Sequence, residues 1–272
     1  NLINLPFNAL MKDNAEFLHQ NHEISVYTSP LHYVQSKTKK QNEYKYDFIG
    51  FGDPKFNSYT SSTNQINLNT LRNSIPQSSD NFFEKVPNLP ETRQEILEIA
   101  NLFTNTKIFL DEEANEINFS TLENSSAKYL SIATHSLLSG EINEVNEPTI
   151  LLTPLNNQDE RNDGLLTSTS ISNLKLNFDL VALSACNTYA AEDKNSQSLS
   201  GLTNAFFIAG VHSIVASMWS VDSETTRDFM INFYLNLSKG YSKSKSLQNA
   251  IISSKENFNH PFYWAPFVLI GE

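Results

Sequence analysis

The stretch DLVALSACNT, residues 179–188, decides the fold class of this chain. Its apolar run Leu180–Leu183 is followed by Ser184 and Ala185, then by the one cysteine of the chain, then by polar residues. A short continuous apolar run of this kind is typical of a strand that is buried on both faces. The stretch therefore predicts a core strand of a parallel sheet with Cys186 at its carboxyl end.

A second stretch, YLSIATHS at residues 129–136, repeats this pattern with a histidine in place of the cysteine. It predicts a strand over Tyr129–Ala133 that ends at His135. In parallel sheets, catalytic groups gather at the carboxyl ends of the strands. We therefore expect the thiol of Cys186 and the imidazole of His135 to lie at the same edge of one sheet.

The rest of the chain alternates between strand-like and helix-like segments. Further strands are predicted at Tyr46–Gly52, Lys107–Leu110, Thr149–Thr153, Ser213–Ser217 and Trp264–Gly271. Helices are predicted at Pro90–Phe103, Asp111–Thr121, Leu199–Ala209, Ser223–Ser238 and Lys243–Phe258, and exposed loops at Gln35–Glu43 and Asn57–Asp80. This alternation predicts an α/β fold with a mostly parallel sheet and helices on both of its faces.

Composition and charge narrow the class of protein. The net charge of −11 and the pI near 5.0 argue against nucleic acid or an anionic membrane as the main partner. One cysteine allows no internal disulfide, which suits a reducing cytoplasm. No apolar run is long enough for a membrane span and no signal peptide is visible. Because the first residue is not Met, we expect the chain to come from a longer protein.

Cys186 and His135 are the candidate catalytic pair. A buried cysteine is more often an inert small hydrophobic residue, but Cys186 follows its predicted strand and precedes polar residues. Of the six histidines, His135 is the one at the carboxyl end of a predicted core strand, whereas His212 precedes a strand. His135 lies 51 residues before Cys186, close to the spacing of about 50 residues in caspases. Gly52 and Trp219 also follow predicted strands.

Other kinds of site lack their sequence patterns. The chain has one cysteine and no C-x-x-C or H-E-x-x-H motif, which argues against a zinc site, and no metal is expected. The eight glycines form no phosphate-binding loop, and no G-x-S-x-G elbow for a serine nucleophile is present. A Cys–His reaction requires no cofactor, and none is expected.

Short motifs along nearly the whole chain resemble those of the CHAT domain, a branch of the caspase-like cysteine peptidases related to separase. LSACNT (residues 183–188) and MWSVD (residues 218–222) are the most specific of them. The others include LPFNAL, ISVYTSP, FGDP, a Leu-Pro pair followed by Glu95, IATH, DGLLT, AGV and the segment from His260-Pro261 to Gly271.

The resemblance implies a role for each candidate residue. Cys186 would be the nucleophile and His135 the general base, and the backbone N–H groups of Cys186 and Ser136 would form the oxyanion hole. The family usually has Gly after the histidine, so Ser136 would be strained if that position needs a positive φ. Substrate would contact Asp53, Trp219, Ser220 and Asp222, although Asp53 could instead be a turn residue and Asp222 a helix cap.

These observations predict a caspase-like three-layer sandwich with a mostly parallel, about six-stranded sheet. Residues 1–272 would form a single CHAT domain with residues 1–45 as an accessory part. The leading hypothesis is a cytoplasmic cysteine endopeptidase that acts on a protein substrate and is regulated by an attached or partner helical-repeat region, such as tetratricopeptide repeats. The alternatives are a catalytically weak protein-interaction module and an acyl or thiol transferase.

Overall fold

A computed structural model describes most of the chain. The described residues are 5–12, 16–38, 43–56, 82–83, 86–141, 145–155, 162–184 and 201–272. The predicted nucleophile Cys186 and the predicted loop Asn57–Asp80 lie outside them.

A six-stranded sheet forms the centre of the structure. Its strands are β1 (Tyr46–Pro54), β2 (Thr106–Asp111), β3 (Ser126–Ala133), β7 (Asn177–Ser184), β8 (Ile214–Ser217) and β9 (Phe267–Ile270). They lie in the order β2-β1-β3-β7-β8-β9. All neighbours are parallel except β8 and β9, which are antiparallel. The mostly parallel six-stranded sheet is as predicted.

A small antiparallel sheet follows β3 directly. It consists of β4 (Ser136–Leu137), β5 (Thr149–Leu151) and β6 (Leu165–Thr167), in that order. Ser136 pairs with Ile150, and Thr149 pairs with Thr167. The small sheet therefore begins one residue after His135 and fixes the chain beyond the carboxyl end of β3.

Helices cover both faces of the central sheet. They are α1 (Leu18–Asn21), α2 (Pro30–Thr38), α3 (Pro90–Ala100), α4 (Glu116–Ser120), α5 (Ser168–Ser172), α6 (Gly201–Ala209), α7 (Ser223–Ser238) and α8 (Lys243–Asn257). On one face, buried residues of α4, α5 and α6 pack against Ile132 and Val181. On the other face, buried residues of α3, α7 and α8 pack against Leu180 and Val215. The structure thus has the three layers that were expected.

Two parts of the predicted secondary structure are wrong. The helix predicted over Asp111–Thr121 begins only at Glu116, because Asp111 belongs to β2 and Asn115 caps the helix by accepting a hydrogen bond from the Asn118 N–H at 2.9 Å. The loop predicted from residue 35 overlaps α2. This helix starts with Pro30, and the Ser29 Oγ accepts a hydrogen bond from the His32 N–H at 3.1 Å.

The N-terminal segment packs beside β9. The Asn8 side chain donates a hydrogen bond to the Phe267 carbonyl at 2.8 Å, and Val26 forms a parallel bridge with Ile270. His19 lies edge-on to the buried Trp264, with ring centroids 4.9 Å apart. These contacts connect residues before β1 to the last strand of the sheet.

Glycine at position 52 lets α3 approach β1 closely. A Cβ atom there would lie 2.8 Å from Ile96 Cγ1 and 3.0 Å from the Thr92 carbonyl oxygen. We expect Gly52→Ala to lower the free energy of unfolding by about 1–3 kcal/mol, because the helix backbone must move away from the strand. Chemical denaturation of the variant and the wild type measures this change. A difference below about 0.5 kcal/mol, the usual effect of a surface substitution, would show that α3 is not held against β1 at this point.

Candidate active site

Hydrogen bonds fix the backbone at His135, between the end of β3 and the start of the small sheet. The Thr134 hydroxyl donates a hydrogen bond to the Leu151 carbonyl at 2.7 Å, and the Leu151 N–H donates to the His135 carbonyl at 2.9 Å. Both bonds connect this turn to β5. They hold the imidazole at the carboxyl end of β3, as the sequence predicted.

The imidazole of His135 has one ring nitrogen occupied and one open. Nε2 lies 2.8 Å from the Pro87 carbonyl oxygen. Since a carbonyl only accepts hydrogen bonds, Nε2 must carry the proton, and in the neutral ring Nδ1 is then the basic nitrogen. Nδ1 is buried and has no hydrogen-bond partner among the described residues. The ring is therefore oriented so that Nδ1 can accept a proton.

Burial keeps His135 in its neutral form. The side chain is buried, and the ring of Phe56 lies 5.7 Å away between centroids. Burial lowers the pKa of His135 below its ordinary value, although the bond to Pro87 and the charge of Glu91 act in the opposite direction. A neutral imidazole near pH 7 has the protonation state that a general base requires.

The strand that leads to Cys186 lies directly beside the strand that leads to His135. β3 and β7 pair in parallel with Ala133 opposite Ser184. In the sequence, His135 comes two residues after Ala133, and Cys186 comes two residues after Ser184. Cys186 itself lies outside the described residues.

A buried carboxyl group contacts the end of β7. Ser184 Oγ donates a hydrogen bond to Oε2 of Glu95 at 2.9 Å, and Glu95 is 1% exposed. Burial raises the pKa of Glu95 to about 8, whereas the bond from Ser184 acts to lower it. Glu95 is therefore protonated at neutral pH inside the layer between α3 and the sheet.

Asp53 lies in a bulge of β1 and forms ion pairs. The pairing of β1 with β2 shifts register between Gly52 and Pro54, and Asp53 has a φ of 46°. Its N–H donates to the Thr92 hydroxyl at 2.8 Å. Its carboxylate contacts Arg93 at 2.8 Å and Lys55 at 3.2 Å. The predicted contact of Asp53 with substrate stays a prediction, and its negative charge is already balanced by two cations.

Arg93 and Lys55 extend this ion pairing to β2. Both cations also contact Asp111, Lys55 at 3.0 Å, and Asp111 has a φ of 52°. These ion pairs lower the pKa of the Asp111 carboxyl. The two bridging cations thus connect the carboxyl ends of β1 and β2 to the start of α3.

The residues after β8 occupy the loop before α7. Trp219 is half-buried, and its Nε1 donates a hydrogen bond to the Phe262 carbonyl at 2.9 Å. Asp222 is exposed and caps α7, accepting a hydrogen bond from the Thr225 N–H at 2.9 Å. Ser220 is half-buried between them. The cap is one of the two roles expected for Asp222, and substrate contacts by these three residues stay predictions.

Ser136 lies in extended backbone. It belongs to β4, and in the described part of the chain Asp53 and Asp111 are the non-glycine residues with positive φ. The strain considered for a serine after His135 is therefore not present at this position.

Two features of the site were not predicted from the sequence. The Pro87 carbonyl orients the imidazole, but a backbone atom leaves no trace in residue identity. Glu95 belongs to one of the CHAT-like motifs, but its contact with Ser184 spans 89 residues and does not follow from the motif.

Within the described ranges, the His, Asp and Glu side chains form no group of three that could hold a metal ion. No described helix has both the length and the apolar character that crossing a bilayer requires.

Two known proteins are similar in sequence to part of this chain. Tetratricopeptide repeat protein 28 of Mus musculus is 35% identical over 109 residues, 39% of this chain and 4% of that protein. The protein of the same name from Homo sapiens is 33% identical over 113 residues, again 39% and 4%. The chain therefore covers about 4% of the length of these relatives.

The fold is also found among solved structures. The separase–securin complex of Saccharomyces cerevisiae superposes with a TM-score of 0.56 at 12% identity, over 98% of this chain and 15% of that chain. At this identity the likeness concerns the fold alone, and it confirms the caspase-like α/β architecture. The family model of the CHAT domain matches residues 1–272, the whole chain. The chain therefore belongs to the CHAT domain family.

Proposed function

We propose that the chain is a cysteine endopeptidase that hydrolyses peptide bonds of a protein substrate. Cys186 is the nucleophile and His135 is the general base. The observation that carries the proposal is the orientation of the His135 ring. Its Nε2 is bound to the Pro87 carbonyl, while Nδ1 is buried and has no partner in the described part of the chain.

The reaction follows from that orientation. Nδ1 of His135 takes the proton of the Cys186 thiol, and the thiolate attacks the carbonyl carbon of the peptide bond. The imidazolium then gives its proton to the leaving amine as the C–N bond breaks, which leaves a thioester. A water molecule, deprotonated by His135, hydrolyses the thioester and restores the thiol. The Pro87 carbonyl accepts a hydrogen bond from Nε2 in both the neutral and the protonated ring and so keeps the ring in one orientation.

The pairing of β3 with β7 supports the proposal that the His135 imidazole and the Cys186 thiol lie close together. Ala133 and Ser184 lie opposite each other in register, and each is two residues from its candidate catalytic residue in sequence. Adjacent parallel strands lie about 4.8 Å apart. Two side chains that leave such strands at the same height are within reach of a hydrogen bond.

The oxyanion hole and the substrate contacts belong to the same proposal. Backbone N–H groups of Ser136 and Cys186 would bind the developing oxyanion, and each such donor contributes on the order of 3 kcal/mol. Trp219, Ser220, Asp222 and Asp53 would contact the substrate. Because Lys55 and Arg93 bind the Asp53 carboxylate, Asp53 would recognise substrate through this ion-paired group rather than as a free anion.

Regulation by a helical-repeat region is proposed from the relatives. Two relatives that are at least 33% identical are named as tetratricopeptide repeat proteins, and this chain covers about 4% of their length. A repeat region attached to the domain, or a partner that carries one, would control access to the site in the cytoplasm.

A set of peptidyl acyloxymethyl ketones with Arg, Lys, Leu, Ala or Asp at the first position tests the proposal. These reagents bind as peptides and alkylate an active-site thiol. Because the chain has one cysteine, mass spectrometry of the intact protein reports modification of Cys186 alone. We expect one adduct with at least one ketone in the wild type and none in Cys186→Ala.

The pattern of labelling decides between the candidate functions. If iodoacetamide alkylates Cys186 but no peptidyl ketone does, the peptidase proposal is wrong and the interaction module is favoured. The preferred first residue also tests the substrate contacts, since a carboxylate that faces the substrate, such as that of Asp222, favours Arg or Lys by charge pairing.

A further inference from the structure

Glu95 is a buried carboxyl group that the proposed reaction does not use. It lies in the second turn of α3 and is 1% exposed. Its Oε2 accepts a hydrogen bond from Ser184 Oγ at 2.9 Å, and Ser184 is the last residue of β7. The contact thus connects α3 to the carboxyl end of the strand that precedes Cys186.

The chain just before Glu95 contacts the other strands of the site. The Pro87 carbonyl binds the His135 ring after β3, and the Thr92 hydroxyl accepts a hydrogen bond from the Asp53 N–H in β1. Residues 87–95 therefore contact the ends of β1, β3 and β7. Glu95 provides the contact to β7, on the nucleophile's side.

We propose that Glu95 is a positioning residue that acts through Ser184 to fix the carboxyl end of β7, from which the chain continues to Cys186. The proposal rests on the proposed function, because the positioning matters for catalysis only if Cys186 is the nucleophile. Burying a carboxyl group costs free energy, and among the described residues Ser184 is the hydrogen-bond partner of Glu95. The contact with Ser184 therefore gives the buried carboxyl a role.

The surroundings of Glu95 make this contact sensitive to pH. Burial raises its pKa to about 8; Ser184 of β7 and Arg227 of α7 act to lower it, and Glu91 of α3 acts to raise it. Tyr234 of α7 is also close enough to interact electrostatically, and burial raises its own pKa. Oε1 of Glu95 has no partner among the described residues. Above pH 8 the carboxylate is ionised in an apolar layer. The Ser184 hydrogen bond favours the ionised form, but the larger cost of burying the charge is expected to loosen the packing of α3 on β7.

Rates of Cys186 modification test the proposal with four variants and one control. The variants are Glu95→Gln, Glu95→Ala, Ser184→Ala and the double alanine variant. The control is Glu98→Gln, an exposed carboxyl group on the same helix. Each protein is reacted from pH 6 to pH 10 with the best peptidyl ketone and, in parallel, with iodoacetamide, a small reagent that needs no peptide site.

The proposal predicts how the rate of the ketone reaction responds to each substitution and to pH. At pH 7, Glu95→Ala and Ser184→Ala each slow the reaction about 10-fold. The double variant is also about 10-fold slower, because the two substitutions remove the same contact. Glu95→Gln keeps an acceptor for the Ser184 hydroxyl, so its rate stays within about 2-fold of the control. Above pH 8, the rate for the wild type should fall below the rate expected from ionisation of the Cys186 thiol alone. The rate for Glu95→Gln should not, because its amide cannot ionise.

Three outcomes would overturn the proposal. They are alanine variants that react as fast as Glu98→Gln, additive effects of about 100-fold in the double variant, or the same alkaline decline in Glu95→Gln and the wild type. If Glu95→Ala does not fold, Glu95→Gln and Ser184→Ala decide the question. If no ketone labels the wild type, the proposed function fails, while the iodoacetamide profiles still show whether Glu95 controls the reactivity of the thiol.

Discussion

Replacing His135 with glutamine is expected to slow peptide-bond hydrolysis by about 10²–10⁴-fold, the contribution of a positioned general base. Glutamine retains an amide N–H that can bind the Pro87 carbonyl but offers no nitrogen that takes up a proton near pH 7. The thiol of Cys186 then loses its proton acceptor, and the leaving amine loses its proton donor. Cleavage of a fluorogenic peptide built on the preferred first residue measures the rate.

The matched control for this variant is His22→Gln, because His22 is exposed and lies far from the strand ends in sequence. It should leave the rate unchanged. The circular dichroism spectrum and melting temperature of His135→Gln should remain close to those of the wild type, so that the loss of rate is not a loss of fold. A His135→Gln variant that hydrolyses the peptide within a factor of three of the wild type would contradict a dyad mechanism.

The second large effect concerns stability and the buried carboxyl group. Glu95 has a pKa near 8 in the folded chain and an ordinary value of 4.5 when unfolded. Between these pH values the folded state binds one more proton than the unfolded state, so stability falls as pH rises, by about 1.4 kcal/mol per pH unit. Below pH 4.5 both states are protonated at this group, and its unfavourable contribution disappears.

Glu95→Gln should remove this dependence. From pH 5 to pH 8, the free energy of unfolding of the variant should rise relative to that of the wild type by about 4 kcal/mol. All other titrating groups are common to the two proteins, so the difference isolates Glu95. Urea denaturation at both pH values measures it. A difference between the proteins that stays constant from pH 5 to pH 8 would mean that Glu95 titrates as an ordinary exposed carboxyl.

Much of the sheet could be predicted from the sequence because its strands are buried on both faces. The apolar runs before His135 and Cys186 correspond to β3 and β7, and α7 was predicted with its observed bounds, Ser223–Ser238. In both cases local pattern and tertiary burial point to the same structure. The position of His135 at the carboxyl end of β3 follows from the same reasoning.

Other features depend on contacts that local sequence does not encode. The helix α2 was missed because its second half, from Gln35, is polar and resembles a loop, although Ser29 and Pro30 form a recognisable helix start. The bond from the His135 ring to the Pro87 carbonyl spans 48 residues, and the contact between Glu95 and Ser184 spans 89. Contacts over such separations are set by the packing of α3 on the sheet. The pairing of Asp53 with Arg93, over 40 residues, arises in the same way.

The distance between Cys186 Sγ and His135 Nδ1 tests the central claim most directly. A crystal structure of the wild-type chain, solved both free and as the peptidyl ketone adduct, provides it. We predict a separation of about 4 Å or less in the adduct, somewhat longer in the free protein, with Nε2 still bound to the Pro87 carbonyl. A separation beyond about 8 Å in both crystals, or an Nδ1 that is bound to another protein group, would contradict the pairing of Cys186 with His135.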